Sequence, residues 1–333
     1  MVETRKVQVT GGSTYTVSIP KTWATENGVS AGSEVEFYPE GDSLFLTPRR
    51  GDERTEGTLD IADLSGDELT RALMTMYVSG FDIIALENSR ITNDQRRTIR
   101  ESTQSLVGLE VLEETRDRVV IRDLLDSSEL SIHNAVTRMR LIALSMLEDA
   151  MTALADLDRD MARDVIQRDD DVDRLWMVVS RIFRATLRTP KAAEELGVPR
   201  EVCFDYHSSA RQLERVADHA TKIAHLSLNL EEPVPEEVTD ALHDLHEAAA
   251  EVIDTAMEAL FTDDSVEATN LANEAREMVE DIDTEARAID ELLRDLDPAR
   301  AQLLGLIVDS VSRAADYGGN IAETGLQKAA PTP

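Results

Sequence analysis

The sequence predicts a multidomain, mainly α chain: a small β unit over 1–50, a small α+β unit over 51–126, and two tandem three-helix bundles over 127–232 and 233–333. Three observations predict it. The 333 residues are 42% hydrophobic but only 4% aromatic, so the core draws on Leu, Val, Ile, Ala and Met, a palette that favours helices. From Ser131 onward apolar residues step by three and four, as in Val136, Met139, Ala143, Met146, Ala150, Ala153 and Leu157, the spacing of a bundle seam. Finally, Arg215, Ala217, Asp218, Ile223 and Ala224 recur at the same spacing as Arg313, Ala315, Asp316, Ile321 and Ala322, which marks a duplicated bundle.

The elements follow in order. Val7–Val9 and Tyr15–Ile19 alternate like strands around the turn signal Gly11-Gly12-Ser13. A short helix over Lys21–Asn27 stops at Gly28, and strands Glu34–Tyr38 and Ser43–Thr47 join through Glu40-Gly41-Asp42. In the second unit, strand Thr58–Ala62, helix Gly66–Ser79, strand Phe81–Leu86 and helix Asn93–Val107 precede a hairpin pairing Leu109–Glu114 with Arg118–Arg122. This β-α-β-α-β-β order places helices on one face of a sheet. Arg96, Arg97 and Arg100 lie on one of those helices, as anion ligands or as a solvated face.

Six long helices follow, at about 131–156, 158–188, 200–230, 236–261, 265–296 and 298–327. Breaks at Leu157-Asp158, from Thr189-Pro190 to Pro199, at Asp263-Asp264-Ser265 and at Asp297-Pro298 separate them. The Pro233/Pro235 linker divides them three and three. Lys328 to Pro333 reads as a loose end.

Charge narrows the function. The formal net charge is -32, from 66 Asp+Glu against 34 Lys+Arg, and only five of the basic residues are lysine. Such a surface suits strong salt, where self-repulsion is screened, so a halophilic, cytoplasmic protein is expected. The first 50 residues are the exception, with five basic residues against six acidic ones. A single cysteine, Cys203, excludes an internal disulfide and is read as a small buried apolar side chain. No stretch is apolar enough to cross a membrane, so no membrane insertion is expected.

Glu214 and Asp218 stand four apart on a helix and therefore share a face, beside the apolar Leu213, Val216, Ala217, Ala220 and Ile223. Spacing alone means little in so acidic a chain, where chance supplies about 13 such pairs, most of them solvated face. The preceding helix offers a second pair, Asp169 and Asp173, with Asp170 as a substitute for Asp169. Packed side by side, these helices bring four carboxylates together, a donor set for a hard cation such as Mg²⁺, Mn²⁺ or Ca²⁺.

The stretch Arg211-Gln-Leu-Glu-Arg-Val-Ala-Asp-His-Ala-Thr-Lys-Ile-Ala-His225, with the acidic run Asp169-Asp170-Asp171-Val172-Asp173, resembles the signature of the PhoU family of phosphate-uptake regulators. That resemblance implies three-helix bundles and metal, often iron or zinc, held by Asp169, Asp173, Glu214 and Asp218; with the oxygen-only donor set, the divalent or trivalent ion stays open among Mg, Mn, Fe and Zn. It also implies action through a phosphate ABC transporter ATPase or a sensor kinase. In the second copy Ser312 stands for Glu214 and Val279 for Asp169, so that site is expected to bind metal weakly or not at all.

Gly12-Ser-Thr-Tyr-Thr-Val-Ser-Ile-Pro-Lys-Thr-Trp23, with Gly28, Gly32 and the strand from Asp42 to Leu46, resembles the AbrB/SpoVT family. This implies a swapped-hairpin β-barrel built by a homodimer and a DNA face carrying Arg5, Lys6 and Lys21, whose cations would meet phosphates. The alternative is that the module only dimerises the chain.

An enzyme is not expected. A di-metal bundle of the ferritin type needs Glu-x-x-His, and none of the six histidines has a Glu three residues before it; Asp240 with His243 comes nearest. The combined expectation is a phosphate-responsive regulator coupling a metal-binding bundle to DNA.

Overall fold

The computed structural model describes residues 3–49, 54–124 and 131–331. The chain divides into two compact units, Met1–Arg54 and Thr55–Pro333. The boundaries expected at 50 and 126 lie outside the described residues.

The first unit holds two antiparallel hairpins and one helix. β1 (Gln8–Thr10) pairs with β2 (Thr14–Thr16), and Gly11 and Gly12 adopt the positive φ that the turn between them requires. Helix α1 (Lys21–Glu26) follows Pro20, and β3 (Val35–Glu40) pairs with β4 (Ser43–Pro48). The two hairpins form separate two-stranded sheets, and no closed barrel forms among the described residues of the single chain. None of residues 3–49 is buried.

The second unit begins with a four-stranded sheet in the order β5-β6-β8-β7. β5 (Glu56–Asp60) runs parallel to β6 (Ile83–Glu87), joined by α2 (Gly66–Val78); β8 (Arg118–Asp123) is antiparallel to β6 and to β7 (Leu109–Glu114). Helices α2 and α3 (Asn93–Ser105) bury Leu69, Leu73, Tyr77 and Ile99 against Ile84, Leu86, Val119 and Ile121. Thr92 and Gln95 form a reciprocal cap at the start of α3, and Gln95 Nε2 also donates to the carbonyls of Ile61 and Leu64 at 2.8 and 2.9 Å. Arg96 and Arg100, open as anion ligands from sequence, both grip Glu114, at 2.6 and 2.9 Å.

The helices are α4 (Ile132–Asp156), α5 (Arg159–Arg188), α6 (Pro190–Leu196), α7 (Arg200–Ser227), α8 (Glu236–Phe261), α9 (Ser265–Leu293) and α10 (Pro298–Ala329). The break expected over 190–199 contains the extra short helix α6, started by the Thr189 hydroxyl and stopped at Gly197, φ 64°. Two local proline and glycine signals close together read as loop but suffice for two turns. Asp158, Asp264 and Asp297 each accept two backbone N–H groups at helix starts, which sets sharp corners between long helices. One continuous apolar core runs from Ile132 to Ala322 through both bundles.

The C-terminal end differs from expectation. Lys328 belongs to α10, and its ammonium donates to the carbonyls of Leu260 and Thr262 at 2.8 and 3.1 Å, satisfying the open end of α8. Residues 332–333 lie outside the described residues. Cys203 is buried, and desolvation pushes its thiol up to about 11.

Candidate functional site

The four acids singled out from sequence sit on α5 and α7, neighbours in the first bundle. The two helices place Val172 and Val179 of α5 and Leu213, Val216, Ala217 and Ala220 of α7 in the core, so the acidic edges run alongside that seam. Glu214 is the deepest, 8% exposed, with Oε1 accepting from Arg211 at 2.6 Å and Oε2 buried without a partner. Burial, then the charge of Asp218, pushes its carboxyl up to about 7, against the pull of Arg211.

Asp173 and Asp218 keep open edges to solvent, and Asp169 is half-buried. Desolvation by the neighbouring helices, then the charges of Asp169, Asp218 and Asp170, still pushes Asp173 up to about 6. Asp169 is raised by burial and by Asp218, and held down by the Thr221 hydroxyl and by His225. Asp218 is raised chiefly by burial. All four carboxylates therefore share one electrostatic neighbourhood in which negative charge is resisted.

Two contributors were not singled out from the sequence. Arg211 stands three residues before Glu214, a helical neighbour whose spacing was legible. Its guanidinium also lies 5.4 Å from the Trp176 ring of α5, which holds it over the site. Thr221 lies on the face of α7 that meets Asp169. Only the packing of α7 on α5 gives it that neighbour.

The donor set suits a metal chemically, because carboxylates and a hydroxyl attract hard cations and Glu214 Oε2 lacks any partner. The geometry is open, however: among the described residues no three His, Cys, Asp or Glu side chains stand close enough to hold one ion.

The second bundle differs in kind at the matching positions. The Ser312 hydroxyl donates to the Val308 carbonyl at 3.0 Å, and Asp316 pairs with Arg313 at 3.2 Å. Val279 packs against Gly319, where an added Cβ would stand 3.3 Å from Val279 Cγ2. An apolar contact there replaces the carboxylate and hydroxyl of Asp169 and Thr221.

The family model for the PhoU domain matches residues 136–227 and 242–325, more than half of the chain. The chain belongs to the PhoU domain family. Its two matched segments coincide with the two bundles, so the sequence duplication and the family repeat are one feature. Residues 8–54 match the model described as antidote-toxin recognition MazE, bacterial antitoxin, so the N-terminal unit is MazE/AbrB-like. Among solved structures the chain is similar to the phosphate transport system regulatory protein PhoU from Streptococcus pneumoniae, at 20% identity and TM-score 0.48, covering 59% of this chain and 92% of that one. PhoU from Pseudomonas aeruginosa is similar at 22% identity and TM-score 0.48, covering 59% and 94%. No curated protein matches the chain.

The residues expected to meet DNA stand in the N-terminal unit of this PhoU-domain chain. Arg5 is exposed and pairs with Glu3, whereas Lys6 and Lys21 are exposed and make no ion pair among the described residues. Arg49 is held by Glu34 at 2.6 Å. Among the described residues no helix is long and apolar enough to cross a membrane.

Proposed function

We propose that this chain is a phosphate-responsive, cytoplasmic regulator of phosphate uptake, in which the first PhoU bundle holds a metal ion and the N-terminal unit, as a homodimer, binds DNA for transcriptional control. One observation carries the dimer and DNA reading. The N-terminal unit buries none of its residues 3–49, leaving Val7, Val9, Tyr15, Val17, Phe37 and Leu44 more than half exposed. Two hairpins with no interior do not hold themselves together, and a second copy supplies the missing apolar face. The same unit is the near-neutral part of a chain of net charge -32, and it carries Lys6 and Lys21 uncommitted. Cations free of local acids are what phosphate contacts require.

Metal in the first bundle is supported by the buried, unpartnered Glu214 Oε2 and by the raised carboxyls around it. Asp169, Asp173, Glu214 and Asp218 would hold the ion, which neutralises charge that the bundle otherwise resists. The second bundle is a scaffold with weak or no metal affinity.

Gel retardation of promoter fragments at molar salt tests the DNA arm. Wild type retards a fragment and Lys6→Ala/Lys21→Ala does not; a wild type that retards none overturns it. A second reading is favoured by the pairing of Arg5 with Glu3 and of Arg49 with Glu34, which thins the cationic face. There the N-terminal unit only dimerises the chain, and regulation runs through contacts with a phosphate ABC transporter ATPase or a sensor kinase. Co-purification of such a partner with the Lys6→Ala/Lys21→Ala variant would support it.

A further inference from the structure

On α5 the residues Asp169, Asp173, Trp176, Ser180, Phe183 and Leu187 follow at steps of three and four and share one face. Phe204, His207, Arg211 and Glu214 do the same on α7, which lies against α5. Carboxylates fill one end of this seam and rings fill the other. Phe183 stands 6.0 Å from Phe204 and 4.5 Å from His207, centre to centre, and His207 stands 4.8 Å from Trp176. Phe204 is 50% exposed, and Leu187, one turn beyond Phe183, is 60% exposed. Apolar side chains exposed singly are ordinary, but these adjoin one another, and contiguous apolar surface marks an interaction site.

The second bundle closes without such rings. In the registers that set Val279 against Asp169 and Ser312 against Glu214, Ala286 and Leu293 stand for Trp176 and Phe183, and Gln302 and Gly305 for Phe204 and His207. Folding of a bundle therefore does not require the ladder.

Charge selects what covers it. Residues 174–193 hold five Arg or Lys and no Asp or Glu, in a chain where 66 of 333 residues are acidic. Arg184 and Arg188 are exposed there and make no ion pair among the described residues, and Arg184 bears on the neighbouring His207. A second copy docked through this face by two-fold symmetry would set these cations against themselves. Single-stranded nucleic acid would need open ring faces, yet Phe183 and His207 lie nearly parallel, 30° apart, each covering the other, and Leu187 has no π-face. An acidic chain with apolar anchors satisfies both the arginines and the exposed surface.

We propose that the aromatic end of the α5/α7 seam docks an acidic amphipathic helix of a partner protein, with its apolar stripe on Phe183, Leu187 and Phe204 and its carboxylates toward Arg184 and Arg188. The eleven residues from Trp176 to Leu187 span about 17 Å, three turns of such a helix, whose anchors then repeat at three and four. In strong salt the apolar contact carries affinity and the arginines set the sign of the partner. As a regulatory contact, this surface rests on the reading in which the chain acts through protein partners.

The test is fluorescence anisotropy of a labelled 18-residue peptide, with Leu at steps of three and four and Glu elsewhere, titrated with the full chain at molar salt. A scrambled peptide of the same composition should bind at least tenfold more weakly, and so should the striped peptide to Leu187→Ser/Phe204→Ser, whose thermal midpoint should match wild type. Arg184→Glu should weaken binding several-fold, and a peptide with Lys in place of Glu should bind more weakly than the acidic one. Sedimentation of the double variant should show the oligomeric state of wild type. No binding of the striped peptide, equal affinity for the scrambled one, or equal affinity in wild type and the double variant would overturn the surface. So would a change of oligomeric state in the double variant, which would make the face a self-interface, or displacement of the peptide by an oligothymidylate. The titration uses only purified chain and peptide, so it stands apart from the co-purification that tests the protein-contact reading.

Discussion

Arg181 of α5 lies 2.6 Å from Asp123 at the end of β8, and the two side chains are 11% and 4% exposed. The same guanidinium donates to the carbonyls of Tyr77 and Phe81 at 2.6 and 3.2 Å, reaches Asp82 at 3.3 Å, and sits 5.0 Å from the Tyr77 ring. One side chain thus fastens the α+β sheet to the helix that, three turns earlier, carries Asp169 and Asp173. Removing it takes the guanidinium away from a buried carboxylate. Arg181→Met should lower stability by about 3–5 kcal/mol in urea unfolding, and adding Asp123→Asn should recover part of the loss. Additive losses in the double variant would refute the pairing.

Glu214 makes the metal-free protein sensitive to pH. Its carboxyl rises from an ordinary value of 4.5 to about 7 on folding, so the folded state binds more protons between those values. Stability should therefore fall as pH rises from about 4.5 through about 7, by on the order of 1–3 kcal/mol. Urea midpoints at pH 5 and pH 8, in one salt concentration, read the effect. Glu214→Gln should flatten the difference, and a slope equal to wild type would exclude Glu214 as its source.

The proposed metal site in the first bundle should make metal content differ between the bundles. Elemental analysis after dialysis should show less bound metal in Glu214→Ala/Asp218→Ala than in wild type, and no change in Asp316→Ala. Loss of metal on changing Asp316 would contradict the expected inactivity of the second copy.

Two glycines of α10 should respond in opposite directions to alanine. A Cβ at Gly318 would meet Val252 Cγ1 at 2.8 Å and the Ile253 backbone nitrogen at 3.1 Å, whereas at Gly305 nothing lies within 4 Å. Gly305→Ala should gain about 0.5–1 kcal/mol from helix propensity. At Gly318 the clash with α8 should outweigh that gain, for a loss of about 1–3 kcal/mol. Thermal melts of the two variants check the sign.

The apolar faces of the N-terminal hairpins should hold two copies together. Phe37→Asp with Leu44→Asp should convert a dimer to monomer in sedimentation while the helical signal of the bundles persists. A monomeric wild type would remove the argument from exposure.

The helices and the acidic pairs along them were legible because their signals are local. The step of three and four from Val136 to Leu157 specifies a buried stripe whatever the helix packs against, and Asp297-Pro298 starts α10 by chemistry confined to a few atoms. The short helix α6 was missed because Pro190 and Gly197 mark its two ends as readily as they mark a loop. At the site, Glu214 with Asp218 was legible as a pair, while the place of Thr221 beside Asp169 was not, since it depends on how α7 lies against α5.

The sequence by itself determined the duplicated helical bundles, the acidic pairs on α5 and α7, and their erosion in the second copy, because periodicity and residue identity act within one helix. Only the tertiary structure decided that Arg181 ties the sheet to α5, that Lys328 closes the end of α8, and that His246 lies unpartnered in the α4/α8 seam. Those relations join residues remote in the chain, and whether a polar atom finds a partner is settled by packing between helices, which no local pattern encodes.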